Sequence, residues 1–205
     1  MKGYNNLRYK IGEGREFYAT QYAQYIHDKY FKQEGKLLDI GCSQGFYMEG
    51  FRRLGYDCTG LDYDSQSLET LNQQGFKVLN CIAGKERFPL EDDTFDFIFC
   101  KSIIEHIFPQ DIEFFVSEMK RVLKKGGIIY ILTPNWKRAF KIFYNSLTHY
   151  TPFTKEKLKN QLLYEGFLNI QIDTWDNLPR LWKYNYKAIG WKRPFPRNII
   201  AVAKK

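Results

Sequence analysis

The chain of 205 residues lacks any long apolar run, and its longest are as short as IIYIL at residues 128–132. A membrane-spanning helix needs about 20 consecutive apolar residues, so we expect no membrane span. The opening segment, MKGYNNLRYKIGEGREFY, also lacks the apolar h-region of a secretory signal peptide. There are only four cysteines and no C-x-x-C pair, which argues against a zinc or disulfide framework. We therefore expect a cytoplasmic protein.

Acidic residues are scarce in the C-terminal third of the chain. Residues 136–205 contain 14 Lys/Arg and 4 Asp/Glu, a net charge of +10. Residues 1–135 contain 17 Lys/Arg and 19 Asp/Glu, a net charge of −2. Two interpretations are open: the basic residues serve solubility, or they steer an anionic partner to that end of the molecule.

Strand and helix patterns alternate along most of the chain. Short apolar runs predict strands at 36–40, 56–62, 76–81, 95–100, 128–134, 168–175 and 198–205. Helical spacing and terminal glycines predict helices over 14–34, 46–55, 65–75, 111–127 and 154–167. This alternation predicts a doubly wound α/β fold, with a mainly parallel sheet covered by helices on both faces.

The first strand leads into a glycine-containing loop, LLDIGCSQG. A dinucleotide fingerprint, G-x-G-x-x-G, starting at Gly41 would need glycines at positions 43 and 46, where the chain has Ser43 and Phe46. Asp39, just before the loop, would repel a pyrophosphate and attract a cation. S-adenosylmethionine carries a sulfonium and an ammonium and no phosphate. We expect Gly41 and Gly45 to let the backbone approach such a ligand closely.

Several segments together resemble the class I S-adenosylmethionine-dependent methyltransferases. They are LLDIGCSQG with GLDYD, RFPLEDDTFDFIFCKSIIEHI, and MKRVLKKGGIIYILTPN, which occur in the family's order from about Leu37 to Asn135. HYTPFTKEKLKNQLLYEGF resembles the tail of the subgroup that methylates small molecules and glycans. The resemblance implies a Rossmann-like three-layer α/β/α sandwich whose seven-stranded sheet is mostly parallel with a reversed final strand.

The resemblance also implies one methyltransferase domain over residues 1–205. Its parts would be an N-terminal cap helix (1–34), a cofactor-binding core (35–133) and an acceptor-side loop with the closing strands (134–205). Asp39, Gly41 and Gly45 would contact the methionine part of S-adenosylmethionine, Asp62 the ribose hydroxyls, and Tyr63 the adenine. The full set of implied cofactor contacts is Asp39, Gly41, Cys42, Ser43, Gly45, Asp62, Tyr63, Cys81, Ile82 and Lys101.

The chain departs from the family pattern at two cofactor positions. Ser43 replaces the usual middle glycine of the loop. The acid that usually precedes the "lPf" segment and faces the adenine amine is absent, and Asn80, Cys81 or Ile82 stands there. The adenine contact is therefore left open between these residues.

The chain has three histidines as candidate general bases. His106 is the first candidate, because its segment borders the methyl donor in the family, and His149 is the second, in a loop that helps to roof the acceptor site. The alternatives are a His106 held by Glu105 at a helix start, and an ordinary loop histidine. His27 is expected outside the chemistry.

Some quinone methyltransferases of the family bind a divalent metal through E-x-x-E-H at the position of His106. Here Ser102 replaces the first acid of that motif, so we expect no metal. Aromatic residues are expected to line the acceptor pocket or to pack in the core: Tyr18, Tyr22, Trp136, Phe140 and Tyr150.

The resulting hypothesis is O-methylation of a small, anionic acceptor. Examples are a sugar or a cell-envelope or capsule precursor, including phosphate- or phosphoramidate-bearing compounds. RNA methylation is a second hypothesis, since the basic tail carries Trp175, Trp182 and Trp191. Against it, the chain has CKSI where base-amine enzymes have [DNS]-P-P-[YF], and no Pro-Cys pair. A non-catalytic S-adenosylmethionine-binding protein is the third hypothesis.

Overall fold

The computed structural model describes residues 12–175 and 197–205, and its centre is one seven-stranded sheet. The strands are β1 (Lys36–Ile40), β2 (Asp57–Asp62), β3 (Lys77–Asn80), β4 (Phe95–Lys101), β5 (Leu123–Pro134), β6 (Leu168–Trp175) and β7 (Asn198–Lys204). Their order across the sheet is β3-β2-β1-β4-β5-β7-β6. β7 runs antiparallel to both of its neighbours, and the other pairs are parallel. The predicted strands and the reversed final strand are confirmed.

Helices cover both faces of the sheet. They are α1 (Gly12–Ile26), α2 (Phe46–Arg52), α3 (Ser65–Gln73), α4 (Ile112–Val122), α5 (Trp136–Phe143) and α6 (Lys155–Tyr164). Within the described ranges, no helix is long and apolar enough to cross a membrane.

The strand side chains alternate between two separate cores. In β4, Ile98 and Cys100 belong to the core under α4 and α6, whereas Phe97 and Phe99 belong to the aromatic core under α1, α2 and α3. This alternation follows from the two-residue period of a strand, which places successive side chains on opposite faces. The predicted three-layer α/β/α sandwich is therefore confirmed.

Two predicted helix ends were wrong. The helix predicted over 111–127 ends at Val122, and the chain continues directly into β5, where Leu123 pairs with Phe95. The basic and glycine residues that suggested a helix stop therefore form the start of a strand. The first helix becomes a π-helical turn, His27–Phe31, which Lys32 closes in the left-handed conformation (φ 62°).

Helix α5 was not predicted, because residues 134–155 were expected to form an acceptor-side loop. It is only eight residues long, and so short a pattern is hard to recognise. Ala139 and Phe143 are buried on its inner side, and the Trp136 ring meets the Phe143 ring at a centroid distance of 5.5 Å. The helix starts immediately after β5 and therefore stands at the carboxyl edge of the parallel strands.

Candidate active site

The glycine loop after β1 is shaped by the protein's own packing. Gly41 and Gly45 have φ values of 77° and 72°, a region that disfavours side chains. A Cβ atom on Gly41 would lie 2.0 Å from Cδ1 of Ile103, and one on Gly45 would lie 2.4 Å from Cδ2 of Leu71. The two glycines therefore make room for Ile103 and Leu71. The expectation that these glycines also let the backbone approach a ligand closely stays a prediction.

Asp62, at the end of β2, fixes the glycine loop from its side. Its Oδ2 accepts a hydrogen bond from the backbone N–H of Ser43 (2.8 Å), and its Oδ1 accepts one from the backbone N–H of Asp64 (3.0 Å). A carboxylate has about four acceptor positions, so each oxygen retains capacity for a further donor. Asp62 is nearly buried.

Asp39 is a buried acid with an unsatisfied oxygen. Its exposed fraction is 2%, and Oδ2 has no hydrogen-bond partner among the described residues. Burial, and then the charge of Asp62, raises the pKa of Asp39 to about 8, whereas the charge of Lys101 acts in the opposite direction. An unsatisfied buried carboxyl oxygen is unfavourable, and a cationic ligand would relieve it.

Lys101, at the end of β4, acts through its charge on two buried acids. Its positive charge opposes the upward pKa shifts that burial causes in Asp39 and Glu105. Its Nζ lies 5.1 Å from the ring centroid of Tyr47, in the first turn of α2. Burial raises the pKa of the Tyr47 hydroxyl, and the nearby Tyr18 and Asp39 add to this shift. Tyr18, Tyr47 and Lys101 thus form one side of the acidic region.

The remaining predicted cofactor residues divide into two kinds. Tyr63 directly follows β2, Ile82 lies two residues after the end of β3, and both are exposed at the carboxyl edge of the sheet. They offer apolar surface where an adenine ring is expected. Cys42 and Cys81 are buried in the two cores, and the Sγ of Cys81 donates a weak hydrogen bond to the carbonyl of Glu86. The side chains of these two cysteines therefore point away from the site.

The two predicted catalytic histidines lie together, although they are far apart in sequence. The rings of His106 and His149 meet edge to face at a centroid distance of 4.8 Å. Nδ1 of His106 donates to the carbonyl of Thr148 (2.7 Å), and Nδ1 of His149 donates to the carbonyl of Phe143 (2.8 Å). Because a carbonyl only accepts, both rings carry a proton on Nδ1. In the neutral rings Nε2 is the basic nitrogen.

Glu105 anchors the loop that carries His149. Its side chain is buried and accepts a hydrogen bond from the Thr133 hydroxyl (2.9 Å), while its carbonyl accepts from the N–H groups of Tyr150 and Thr151. Burial raises the pKa of Glu105 to about 7, against the opposing effects of hydrogen bonds from its own backbone N–H and the Thr133 hydroxyl and of the charge of Lys101. The Thr148 carbonyl occupies Nδ1 of His106, and the alternative of a His106 held by Glu105 at a helix start stays a prediction.

The cluster also has the donor set of a metal site. Potential ligand atoms of Glu105, His106 and His149 all lie within 4.8 Å of one another. The Glu105 carboxylate is already bonded to Thr133, however, and the positive charge of Lys101 acts on it. The charge of Lys101 disfavours a divalent cation, and the expected absence of a metal stays a prediction.

One predicted acceptor contact was wrong. Tyr22 is fully buried in the aromatic core, and its hydroxyl oxygen lies 2.6 Å from that of Tyr130. Tyr18 stacks on Tyr22 at a centroid distance of 5.9 Å and is only partly buried. Trp175 is also buried and packs on Tyr22, so it cannot stack on a nucleic-acid base. Trp182 and Trp191 lie outside the described residues.

Other predicted residues lie near the histidines. His149 packs on Phe143 at a centroid distance of 4.7 Å, and Trp136 packs on the same ring. Tyr150 is exposed and stacks on Phe108 at 4.1 Å. His27 is separate, because its Nδ1 is hydrogen-bonded to the Tyr56 hydroxyl (2.8 Å).

Comparison with known proteins agrees with this architecture. A family model described as a methyltransferase domain matches residues 38–131, which include the acidic region and His106. Residues 38–131 thus match a methyltransferase domain, as the resemblance to the class I S-adenosylmethionine-dependent family predicted. The ubiquinone biosynthesis O-methyltransferase of Pelagibacter ubique is 36% identical over 104 residues, 49% of this chain and 42% of that protein. The Bartonella bacilliformis enzyme of that name is 32% identical over 50% of this chain and 43% of its own length. The match thus spans less than half of these relatives.

Solved structures resemble the methyltransferase domain over nearly its whole length. A SAM-dependent methyltransferase from Archaeoglobus fulgidus superposes with a TM-score of 0.75 at 24% identity, covering 93% of this chain and 94% of that one. The 1,6-didemethyltoxoflavin-N1-methyltransferase of Burkholderia thailandensis, solved with S-adenosylhomocysteine, has a TM-score of 0.67 at 14% identity, covering 100% of this chain and 84% of that one. At these identities the likeness concerns the fold alone.

Sequence analysis missed three contributors to the site of the methyltransferase domain. Tyr47 borders the acidic region from α2, and its place directly after the glycine loop was the available signal. Thr133 and Thr148 hold Glu105 and His106. Nothing in the sequence marks them, since they lie about 30 and 40 residues from their partners and Thr148 acts through its backbone.

Proposed function

We propose that this methyltransferase domain transfers the methyl group of S-adenosylmethionine to an oxygen of a small anionic acceptor. The observation that carries the proposal is the buried Asp39 oxygen without a described partner, beside Asp62 at the glycine loop. S-adenosylmethionine supplies an activated methyl group on a cationic sulfonium, next to an ammonium. Two acids in a low-dielectric pocket select such a ligand over a phosphate-bearing one.

The remaining cofactor contacts follow from residue positions. The Asp62 oxygens, which already accept two backbone N–H groups, have capacity for the ribose hydroxyls. Tyr63 and Ile82 present apolar surface for the adenine. The backbone of residues 41–45 borders the methionine part, with Lys101 placed to neutralise its carboxylate.

On the acceptor side, we propose that Nε2 of His106 or His149 takes the proton of an attacking hydroxyl. Both rings are held by Nδ1–H donation to carbonyls, which fixes ring orientation and leaves Nε2 to accept a proton. The two curated relatives described above are named O-methyltransferases, which supports oxygen as the attacked atom. Hydrogen-bond acceptance by Nε2 also orients the acceptor oxygen for in-line attack.

The net charge of +10 in the sequence of residues 136–205 supports an anionic acceptor, such as a sugar acid, an envelope or capsule precursor, or a phosphate- or phosphoramidate-bearing compound. If the charge steers the acceptor, initial rates fall as ionic strength rises. Rates that are independent of both salt and acceptor charge would remove this part of the proposal. We also propose a single cytoplasmic domain, supported by four buried free thiols and one continuous sheet.

The deciding experiment is a calorimetric titration with S-adenosylhomocysteine. Asp62→Ala should weaken binding by about 1–3 kcal/mol, because the ribose loses a charged acceptor. Asp62→Asn, which retains one acceptor oxygen, should lose less. Asp57→Ala is the matched control, since Asp57 lies at the opposite end of β2 and is exposed.

The titration also separates the alternatives. Unchanged affinity in Asp62→Ala would remove Asp62 from the site, and absent wild-type binding would contradict the proposal. Cofactor binding without turnover of any anionic acceptor would favour the non-catalytic hypothesis. Tight, salt-dependent binding of tRNA or rRNA would favour an RNA substrate.

A further inference from the structure

Helix α5 exposes an outer surface that combines cations with large apolar side chains. Lys137, Phe140, Lys141 and Tyr144 are spaced at i, i+3, i+4 and i+7, and all four are exposed. Such spacing places them on one side of a helix. Leu147 follows three residues later and is 92% exposed. We call these five residues the α5 face.

The α5 face is distinct from the side of the helix that packs on the domain. Ala139 and Phe143 are buried, and Trp136 is partly buried and packs against the Phe143 ring. Core packing therefore already uses the inner side. The exposed fractions of Phe140 and Tyr144 exceed one half, which leaves unexplained apolar area on the outer side.

The sequence around the face has charge of one sign. Residues 135–154 contain Lys137, Arg138 and Lys141 and no Asp or Glu. Glu156, in the next helix, lies 3.3 Å from Lys137 in an exposed contact, and such a contact is easily exchanged for another anion. A partner for this face must therefore be anionic at its surface and apolar just below it.

We propose that the α5 face docks the methyltransferase domain on a membrane surface containing anionic phospholipids. Lysines bind the headgroup phosphates, while aromatic rings and leucine enter the boundary with the acyl chains, as in interfacial amphipathic helices. A nucleic acid would satisfy the lysines but would leave the aliphatic Leu147 in water. The bilayer surface matches both parts of the chemistry.

The location of the face gives docking a consequence. Leu147 is two residues before His149, and the carbonyl of Phe143 in α5 holds the His149 ring. Docking therefore brings the histidine pair close to the headgroups. The acceptor reached there would be carried on a lipid, an extension that rests on the proposed methyl transfer, whereas docking itself does not.

Vesicle sedimentation tests the proposal. The full chain is mixed with vesicles of phosphatidylcholine alone, or of phosphatidylcholine with phosphatidylglycerol. The charge variant is Lys137→Gln with Lys141→Gln, and the apolar variant is Phe140→Ser with Leu147→Ser. The matched control is Lys159→Gln with Leu163→Ser on α6, where Leu163 is also exposed. S-adenosylhomocysteine titration and thermal melting confirm that each variant is folded.

We expect binding to the anionic vesicles and weak binding to phosphatidylcholine alone. The charge variant should lose about tenfold or more in affinity, and the apolar variant a similar factor, with the control unchanged. Because all four native cysteines are buried, a polarity-sensitive dye can be attached selectively to Leu147→Cys. Its emission should shift to the blue on anionic vesicles, unlike that of Leu163→Cys.

Three results would overturn docking by this face. The first is no binding of the wild type to anionic vesicles. The second is an equal loss in the α6 control, which would assign binding to overall charge. The third is a wild-type dimer that the apolar variant abolishes, which would make the face a protein interface. Vesicle binding in a protein that fails to bind S-adenosylhomocysteine would leave docking intact and contradict only the proposed function.

Discussion

The cofactor side and the acceptor side of the site are constructed differently. On the cofactor side, Asp62 holds the loop at Ser43 through a backbone N–H, and both acids and the glycine loop lie within residues 39–64. On the acceptor side, the turn at 104–108 is joined to β5 and to residues 143–151 by hydrogen bonds that span about 30 to 45 residues. One side is local in sequence, and the other is assembled by tertiary structure.

The two sides also differ in the hydrogen bonding of their buried acids. Asp39 and Glu105 both have pKa values raised by burial, to about 8 and about 7. Glu105 is satisfied by the Thr133 hydroxyl, whereas one oxygen of Asp39 has no partner among the described residues. Asp39 is therefore suited to receive a ligand, and Glu105 is suited to hold two segments together.

The largest expected effect separates the two sides by function. His106→Gln or His149→Gln should lower the turnover number about 10²–10⁴-fold, because a general base is removed. Affinity for S-adenosylhomocysteine should stay the same, since the rings are held by the carbonyls of Thr148 and Phe143, whereas Asp62 holds the glycine loop. Steady-state kinetics and calorimetry on each variant identify which histidine is the base. Full turnover in both would show that no histidine acts as base.

Chelation provides the control for this prediction. If the histidines act as bases, dialysis against a chelator leaves turnover unchanged and the pH profile retains a histidine-like ionisation. Loss of turnover that Mn²⁺ or Zn²⁺ restores would instead make Glu105, His106 and His149 metal ligands, and would contradict the expected absence of a metal.

The next effect concerns the proton on Asp39. With a pKa near 8, this carboxyl is protonated at pH 7 in the ligand-free protein, while a bound ammonium favours the carboxylate. Binding of S-adenosylhomocysteine should therefore release a proton, and affinity should fall up to about tenfold per pH unit below 8. Calorimetry in two buffers with different ionisation enthalpies measures the proton count. Equal binding enthalpies in the two buffers, or the same proton release in Asp39→Asn, would contradict this prediction.

A related effect appears in stability. An acid whose pKa is raised by folding contributes stability below its unfolded value, about 4, and loses this contribution as pH rises through its folded value. Asp39→Asn should therefore stabilise the ligand-free protein at pH 8 by about 1–3 kcal/mol. Glu105→Gln should gain less, because Thr133 already bonds the carboxylate. Thermal melts at pH 5 and pH 8 test both, and a larger gain for Glu105→Gln would invert the comparison.

The same contrast explains what the sequence could predict. The seven strands, the reversed last strand and the acids Asp39 and Asp62 follow from short apolar runs and a contiguous loop. Helix α5 and the start of β5 were not predicted. Whether a short helix forms, and whether the segment KKGG belongs to a strand, depends on contacts with residues distant in sequence. The contact between His106 and His149 could not be predicted from the sequence either, since backbone carbonyls of other segments hold both rings.

The smallest expected effect tests the local character of the cofactor side. Ser43 has φ 47°, a left-handed conformation that disfavours a side chain by about 1 kcal/mol. Ser43→Gly should remove this strain, while the greater freedom of glycine in the unfolded chain offsets part of the gain. We expect a net stabilisation of about 0.5 kcal/mol, with cofactor affinity unchanged.

Gly75→Ala is the matched control for that variant. Gly75 has φ 81°, and a Cβ atom added to it would meet no other atom within 4 Å, so only backbone strain opposes the change. It should destabilise the protein by about 1 kcal/mol. Denaturant unfolding of both variants measures the difference. If Ser43→Gly destabilises the protein, the Ser43 side chain makes a contact that outweighs its strain, and the loop depends on more than the Asp62 bond to its backbone.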